Sequence, residues 1–370
     1  MSNDLLPTNA TAFERAFSLA VDALDRLSPG IGAIKTAKLV TLPDNFLPFL
    51  IYEYGLGEVS AYVADQRRLL SIGRDWQRVR GTPEALALAL DWLNYDAILE
   101  EAPARRRRWN LFQLALRRIR DFEEPDLENI EGVAGLSVAV RSQFWRGYNG
   151  YDVRELEWSR KPWSGAIWSA ASGVRLRSDG AKWSFGRSHD FQVFAGQSFL
   201  DPLDAWVPPS GSDLGWGDFT WLDAGGASWV DVDAQARINL IIGALTGRPI
   251  FAAFRDAGGE IIGYRRARAI HPVRVSPGGE YAVGGLNLTR DATTPTGLYV
   301  EAMTGFGDGA GATAESVTLV WDAVPDDPEK PGLLWGGPDE ITGGTGTSPV
   351  AETIAFGQTV RERVRFYLTF

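Results

Sequence analysis

Two histidines, His189 in "RSHDF" and His271 in "AIHPV", are where a search for chemistry in this 370-residue chain begins. Imidazole can act as base, acid or metal ligand near neutral pH. Neither has a second His or a Cys at metal-ligand spacing, and the chain holds no cysteine, so no metal centre is expected. His271, before a proline, reads as a strand-end residue. No G-x-S-x-G elbow presents a serine nucleophile, so catalysis is not expected and no cofactor is implied. "GFGDGAGA" (305–312) lacks the Lys-Ser/Thr ending of a phosphate loop and precedes a strand pattern, which makes it a loop between strands. "DVDA" (231–234) offers alternating carboxylates of the kind that ligate calcium. The rest of an EF-hand loop is missing, and a solvated strand edge is the better reading.

Aromatic and basic clusters are the other candidates. "RKPWSGAIWSAAS" places Trp163 and Trp168 five positions apart, and Trp206, Trp216, Trp221 and Trp229 follow. Such rings can stack on sugars or contact a partner, although Trp in a Gly-rich β region more commonly packs cores. Arg105–Arg108 and Arg265, Arg266 and Arg268 suit an acidic partner, with a solvated turn and strand face as the alternative.

The elements that position these residues fall into two grammars. The first 95 residues read as helices. Thr11 and Glu14 form a T-x-x-E capping box, and Phe13, Phe17, Ala20, Leu24 and Leu27 follow at helical spacing until "SPG" (28–30). "NFLPFLIYEYGLG" reads as a helix broken near Pro48 and stopped by Gly55 and Gly57. A third helix, about 60–80, buries Tyr62, Leu69, Ile72, Trp76 and Val79. In "RVRGTPEALALALDWLNYD" the leucines alternate like a strand, but Ala and Leu favour helix and no β-branched residue interrupts them. Gly81 stops one helix, Thr82 caps the next, Pro83 occupies its first position, and Asn94 closes it. A tight corner results.

Beyond residue 95, "YDAILEEA" and "WNLFQLALRR" read as two strands around the basic turn, although the second would also serve as a short helix, and "EEPDLENIEG" reads as a polar connector with one helical turn. Of 41 glycines, 35 follow residue 130, which assigns the turn-rich architecture to that part. Asp179-Gly180, "IFAAFRDAGGEIIGYRR" and "VRVSPGGEYAV" signal hairpins. "ESVTLVWDAV" alternates Val317, Leu319 and Trp321 on one face. "PDDPEKPG" and "GGTGTS" read as loops. The fold class is therefore multidomain α+β: a helical module over 1–95, a mixed connector over 96–160, and an antiparallel, sandwich-like β region over 161–370.

Composition bounds the function. A net charge of −10 removes the electrostatic footprint of unspecific nucleic-acid binding. The N-terminus lacks the pattern of a signal peptide, and no apolar run spans a bilayer, so a water-soluble chain is expected.

Three stretches of the helical half, in order, resemble the phage tail protein I family. "LLPTNATAFERA" (5–16) is similar to the family's opening segment. "LPDNFLPFLIYEYGL" (42–56) resembles its Leu-Pro-rich aromatic segment, with Phe49 and Tyr52 where tryptophans are usual. "VRGTPEALALALDWLNYD" (79–96) resembles its Gly-Thr-Pro helix, with Asn94 in place of the customary glycine. The resemblance implies a structural baseplate wedge subunit of a contractile tail or injection particle. In that family the subunit binds two copies of the baseplate J-type protein, contacts other wedge and hub proteins, and helps transmit the trigger for sheath contraction. It implies a virion location, with assembly in the host cytoplasm and no catalytic residues. The aromatic and apolar residues expected to meet partner helices are Phe13, Phe17, Leu24, Phe49, Tyr52, Tyr62 and Trp76, with Gly81, Thr82 and Pro83 fixing the corner. The β region is then a peripheral extension that contacts neighbouring wedges or tail fibre proteins. The alternative is a wedge-anchored carbohydrate- or receptor-binding module using Trp163 and Trp168.

Overall fold

The computed structural model describes residues 6–37, 42–101, 109–151, 171–195 and 229–370. Arg105–Arg108, Trp163, Trp168, Trp206, Trp216 and Trp221 lie outside them. The chain divides into two compact units: Met1–Ala97 with Glu124–Gln143, and Ile98–Glu123 with Phe144–Phe370. Helices come first and a β-rich region follows, an α+β arrangement.

The first unit contains α1 (Ala12–Ala20), α2 (Leu24–Thr36), α3 (Leu47–Glu53), α4 (Gln66–Val79), α5 (Pro83–Trp92) and α6 (Asp126–Ser137). Four boundaries differ from the sequence reading. The helix expected to end at "SPG" instead breaks at Val21–Ala23 and resumes as α2, which runs through Pro29. Proline's fixed φ suits a helix, but Pro29 lies past the first turn, where it forfeits a hydrogen bond and crowds the preceding turn, so α2 carries it at a cost. Pro48 does not break α3. It sits in its first turn, where the missing N–H is harmless, after a short 3-10 turn over Asp44–Phe46. The third helix begins later than expected because Asp65 caps it, accepting from the Arg68 N–H at 3.0 Å. The "polar connector" is a full helix, α6, whose Leu127, Ile130, Val133 and Ala134 are buried at helical spacing.

The second unit is built on β1 (Ala97–Glu101), β2 (Leu111–Leu116), β3 (Gln143–Gly150), β4 (Lys182–Phe194), β5 (Ile250–Arg255), β6 (Ile261–Val275), β7 (Tyr281–Val283), β8 (Leu286–Arg290), β9 (Gly297–Met303), β10 (Thr313–Pro325), β11 (Trp335–Gly336), β12 (Ile341–Gly346), β13 (Val350–Ala355) and β14 (Val360–Thr369). The main path runs β1-β2-β3-β4-β14-β9-β6-β5-β10-β12. Inward side chains of β5, β9, β10 and β14 share one core, with Val317, Leu319 and Trp321 on the expected face.

This region is not wholly antiparallel. β4 pairs in parallel with both β3 and β14, a topology whose long connections leave no local signal. It also contains α7 (Trp229–Thr246), which takes in the "DVDA" read as a strand edge. Ile241, Ile242 and Leu245 of α7 enter the core. The Asp179-Gly180 hairpin reduces to a single bridge, Val174 with Trp183. The "IFAAF…GYRR" hairpin forms as β5–β6. In "VRVSPGGEYAV" the two arms do not pair with each other. β8 inserts between them, because Gly284-Gly285, both at positive φ, make the tight turn joining β7 to β8. "GGTGTS" is mostly strand β12, and His271 is a mid-strand residue of β6, paired with Tyr299. An X-Pro step is tolerated there because Pro272 offers its carbonyl to Asp291 N–H and needs no donor.

Candidate partner-binding surface

The Gly81-Thr82-Pro83 corner organises the helical unit. α4 ends at Arg80, Gly81 takes φ +90°, and Thr82 caps α5 by accepting the Ala85 N–H at 3.4 Å. The Thr82 hydroxyl also donates to the Val79 carbonyl at 2.7 Å, so one side chain serves both helix ends. α6 locks the corner from outside: Gly81 N–H donates to the Ser137 carbonyl at 2.8 Å and Arg80 Nε to the Leu136 carbonyl at 2.8 Å. An added Cβ at Gly81 finds its nearest neighbour at 4.0 Å, so the left-handed backbone, and not crowding, demands glycine. Gly81→Ala is therefore expected to cost about 1–2 kcal/mol, read as a lower urea midpoint with unchanged slope.

Two helices of the unit, α5 and α3, close by one device. At α5, Asn94 (φ +58°) donates to the Asp91 carbonyl and Tyr95 to the Leu90 carbonyl, both at 3.0 Å. At α3, Gly55 (φ +68°) donates to Tyr52 and Leu56 to Ile51. These are Schellman closures, and Asn94 fills the place of glycine because asparagine tolerates the left-handed region.

Two of the residues expected at a partner interface serve this scaffold. Trp76 is 1% exposed, stands 5.5 Å from the Trp92 ring, and donates from Nε1 to Ser137 Oγ at 2.9 Å. Tyr62 is half-buried with its ring seated on Gly132 of α6, where any Cβ would overlap it. The scaffold holds α3 with Leu47, Leu50 and Ile51 inward and Phe49 and Tyr52 outward, 69% and 76% exposed.

α1 presents the most open apolar surface. It has no buried residue, and Phe13 and Phe17, 77% and 60% exposed, lie ring to ring at 6.3 Å. Its start is well fixed: Thr11 Oγ1 accepts the Glu14 N–H, while Glu14 Oε2 accepts the Thr11 N–H at 2.7 Å. The bonds from Thr11 hold the Glu14 carboxyl below its ordinary range. α2 adds Leu27, Ile31 and Ile34, all exposed, on one stripe at i, i+4 and i+7. Ending the helix at Ser28 in the sequence reading hid Ile31 and Ile34, although their spacing carried the signal. The side chain of Leu24 lies outside the described residues, as do Trp163 and Trp168.

In the second unit, the Arg265, Arg266 and Arg268 cluster is engaged internally. Arg265 pairs with Asp308 at 2.9 Å, Arg268 with Glu301 at 2.7 Å, and Arg266 donates to the Pro331 carbonyl at 2.8 Å. Asp308, within "GFGDGAGA", also accepts the Gly305 N–H, so that segment is a loop braced by its own carboxylate. His189 lies between two carboxylates, Nδ1 2.8 Å from Glu352 and Nε2 2.9 Å from Glu362. Among the described residues no group of His, Cys, Asp and Glu is placed to hold a metal ion, and no helix is long and apolar enough to cross a membrane.

Among the described residues, α1 and α2 carry exposed apolar side chains and bury none, which is the chemistry of a protein-binding surface. A comparison with curated proteins finds no match to the chain. Residues 6–140, which hold α1 to α6 and the corner, match the family model described as phage tail protein (Tail_P2_I), the family that the chain's opening motifs resemble.

Proposed function

We propose that this tail component is a baseplate wedge subunit that binds the J-type baseplate protein through α1 and α2, joins other wedge and hub proteins, and helps pass on the signal for sheath contraction. Such a role makes it a virion protein assembled in the host cytoplasm. The observation that carries the reading is the apolar stripe of Phe13, Phe17, Leu27, Ile31 and Ile34, exposed on two helices that bury nothing among the described residues. Short amphipathic helices gain their stability from packing, so α1 and α2 need a covering surface to be firm. Helices that lay such faces together form the apolar interfaces of obligate assemblies. Residues 141–370 lie outside the family match, which supports a peripheral role for them, toward neighbouring wedges or tail fibres.

Co-expression with the J-type protein and size-exclusion chromatography test the proposal. The native chain should co-elute with its partner. Phe13→Asp with Phe17→Asp should abolish co-elution while leaving the fold intact, since buried aromatic anchors are worth about 2 kcal/mol or more each. A native chain that elutes alone beside J would overturn the assignment.

A further inference from the structure

The outer face of the β4-β14-β9-β6 sheet gathers more positive than negative charge. Arg361 and Arg363 project from β14, and Arg265 and Arg268 from β6, each near enough to its neighbours to bear on their protonation. Two carboxylates face them, Asp308 and Glu301, and both are taken. Asp308 holds Arg265 at 2.9 Å and the Gly305 N–H at 2.6 Å. Glu301 holds Arg268 through Oε1 at 2.7 Å and the Tyr299 hydroxyl through Oε2 at 2.7 Å. The next acid along β14, Glu362, is bound by Arg187 and His189. Arg365 is matched in fork geometry by Asp190.

Arg361 and Arg363 are left over. Among the described residues Arg361 has no carboxylate within ion-pair distance, and its Nε donates only to the Thr304 carbonyl at 3.3 Å. Arg363 approaches a carboxylate only at 3.6 Å, the already engaged Oε1 of Glu301, and its Nε is buried with no hydrogen-bond partner. Both guanidiniums are nonetheless held in place. The Tyr151 ring lies 4.2 Å from Arg363 Cζ, and Phe306 lies 5.3 Å from Arg361 Cζ. Tyr151 is fixed in turn by its hydroxyl bond to the Arg361 carbonyl at 2.8 Å. The cluster stays reachable, since the Arg363 side chain is 25% exposed and that of Arg268 47%.

We propose that Arg361 and Arg363, with Arg268 at the rim, bind a phosphate-class oxyanion. Four guanidiniums against two carboxylates leave an excess of two positive charges, which a dianion neutralises. Paired arginine forks on aromatic rings are the geometry that recognises phosphate oxygens. The source is either free phosphate or a phosphate ester carried by a polymer.

Titration of the full chain with inorganic phosphate, at ionic strength held constant with potassium chloride, tests the site by calorimetry and thermal melting. Saturable binding and a rise in Tm with phosphate concentration are expected. Arg361→Gln and Arg363→Gln should each weaken binding at least tenfold, while Arg274→Gln, distant along β6, should leave it unchanged. Parallel titrations with a sugar phosphate and with a polyphosphate separate the sources: tighter binding of either ester points to a polymer-borne group. Phosphate indistinguishable from chloride, or binding retained in both glutamine variants, overturns the proposal. Should those variants misfold, guanidinium NMR of the native chain decides, because unmoved Arg361 and Arg363 Nε signals under phosphate refute it equally.

Discussion

Trp76→Ala is expected to destabilise the helical unit by about 3–5 kcal/mol, the range for deleting a fully buried tryptophan. The indole touches every part of the corner: the Trp92 ring at 5.5 Å, the Arg80 guanidinium at 5.1 Å above its face, and Ser137 of α6 through its N–H. Removing it leaves a cavity where α4, α5 and α6 meet. The serine is not orphaned, because its hydroxyl still donates to the Val133 carbonyl at 2.6 Å, so the cost is mainly lost packing. Against a domain stability of about 5–15 kcal/mol, that loss removes a fifth or more of the total and reaches the unfolding midpoint at the low end of the range. Trp76→Phe keeps the aromatic contact and gives up the hydrogen bond, for which about 1 kcal/mol is expected, plus a smaller packing loss. Urea denaturation followed by far-UV circular dichroism checks both. A cost under 1 kcal/mol for the alanine variant would show that the corner is held by something other than this ring.

The second large effect is expected at Glu362, 1% exposed in the β unit. Its carboxylate receives Arg187 Nε at 3.0 and 3.2 Å and faces His189 Nε2 at 2.9 Å. Glu362→Ala strips two cationic groups of their shared partner. Breaking a buried pair from one side costs about 3–5 kcal/mol, and the lower end applies because the Arg187 side chain keeps 29% of its exposure. Denaturation at pH 6 measures it, and a wild-type midpoint in the variant would refute the claim.

The same site makes stability depend on pH in a defined sense. Burial pushes the His189 pKa down, but the hydrogen bonds and charges of Glu362 and Glu352 outweigh it, and the net shift is upward from 6.5. A base whose folded pKa is raised stabilises the fold fully below its unfolded pKa, and that contribution fades as pH rises through the folded value. Stability contributed by His189 is therefore expected to fall above pH 6.5. His271 moves the other way, lowered by burial and by Arg290. With only two histidines in the chain, an NMR titration should show one imidazole midpoint on each side of 6.5. Glu362→Gln should bring the higher of them down.

Much of the helical unit is legible in its sequence because its signals are local. Thr11 with Glu14, Gly81-Thr82-Pro83 and Asn94 each state their backbone conformation within four residues, and all three form as read. Proline misleads where position decides its effect: Pro29 and Pro48 read as breaks, yet one lies inside a helix and the other starts one. In the β unit, hairpin β5–β6 is legible from its Asp-Ala-Gly-Gly turn, whereas β4–β14 is not. Nothing near Phe185 announces a partner near Val360. α7 was legible after all, since Ile238, Ile241, Ile242 and Leu245 follow helical spacing, but surrounding glycines drew the reading toward strands. The partner surface was half visible. Aromatic type pointed equally to Phe13 and to Trp76, and only packing separates an exposed ring from one inside the corner.

β14 lies mid-sheet, clasped in parallel by β4 and antiparallel by β9, and its ion pair with β4 joins residues 175 positions apart. During synthesis, the strands on either side must wait, edges unsatisfied, until that late segment leaves the ribosome. β4 thus keeps an unsatisfied edge, open to mispairing between nascent chains, from its own synthesis until β14 follows.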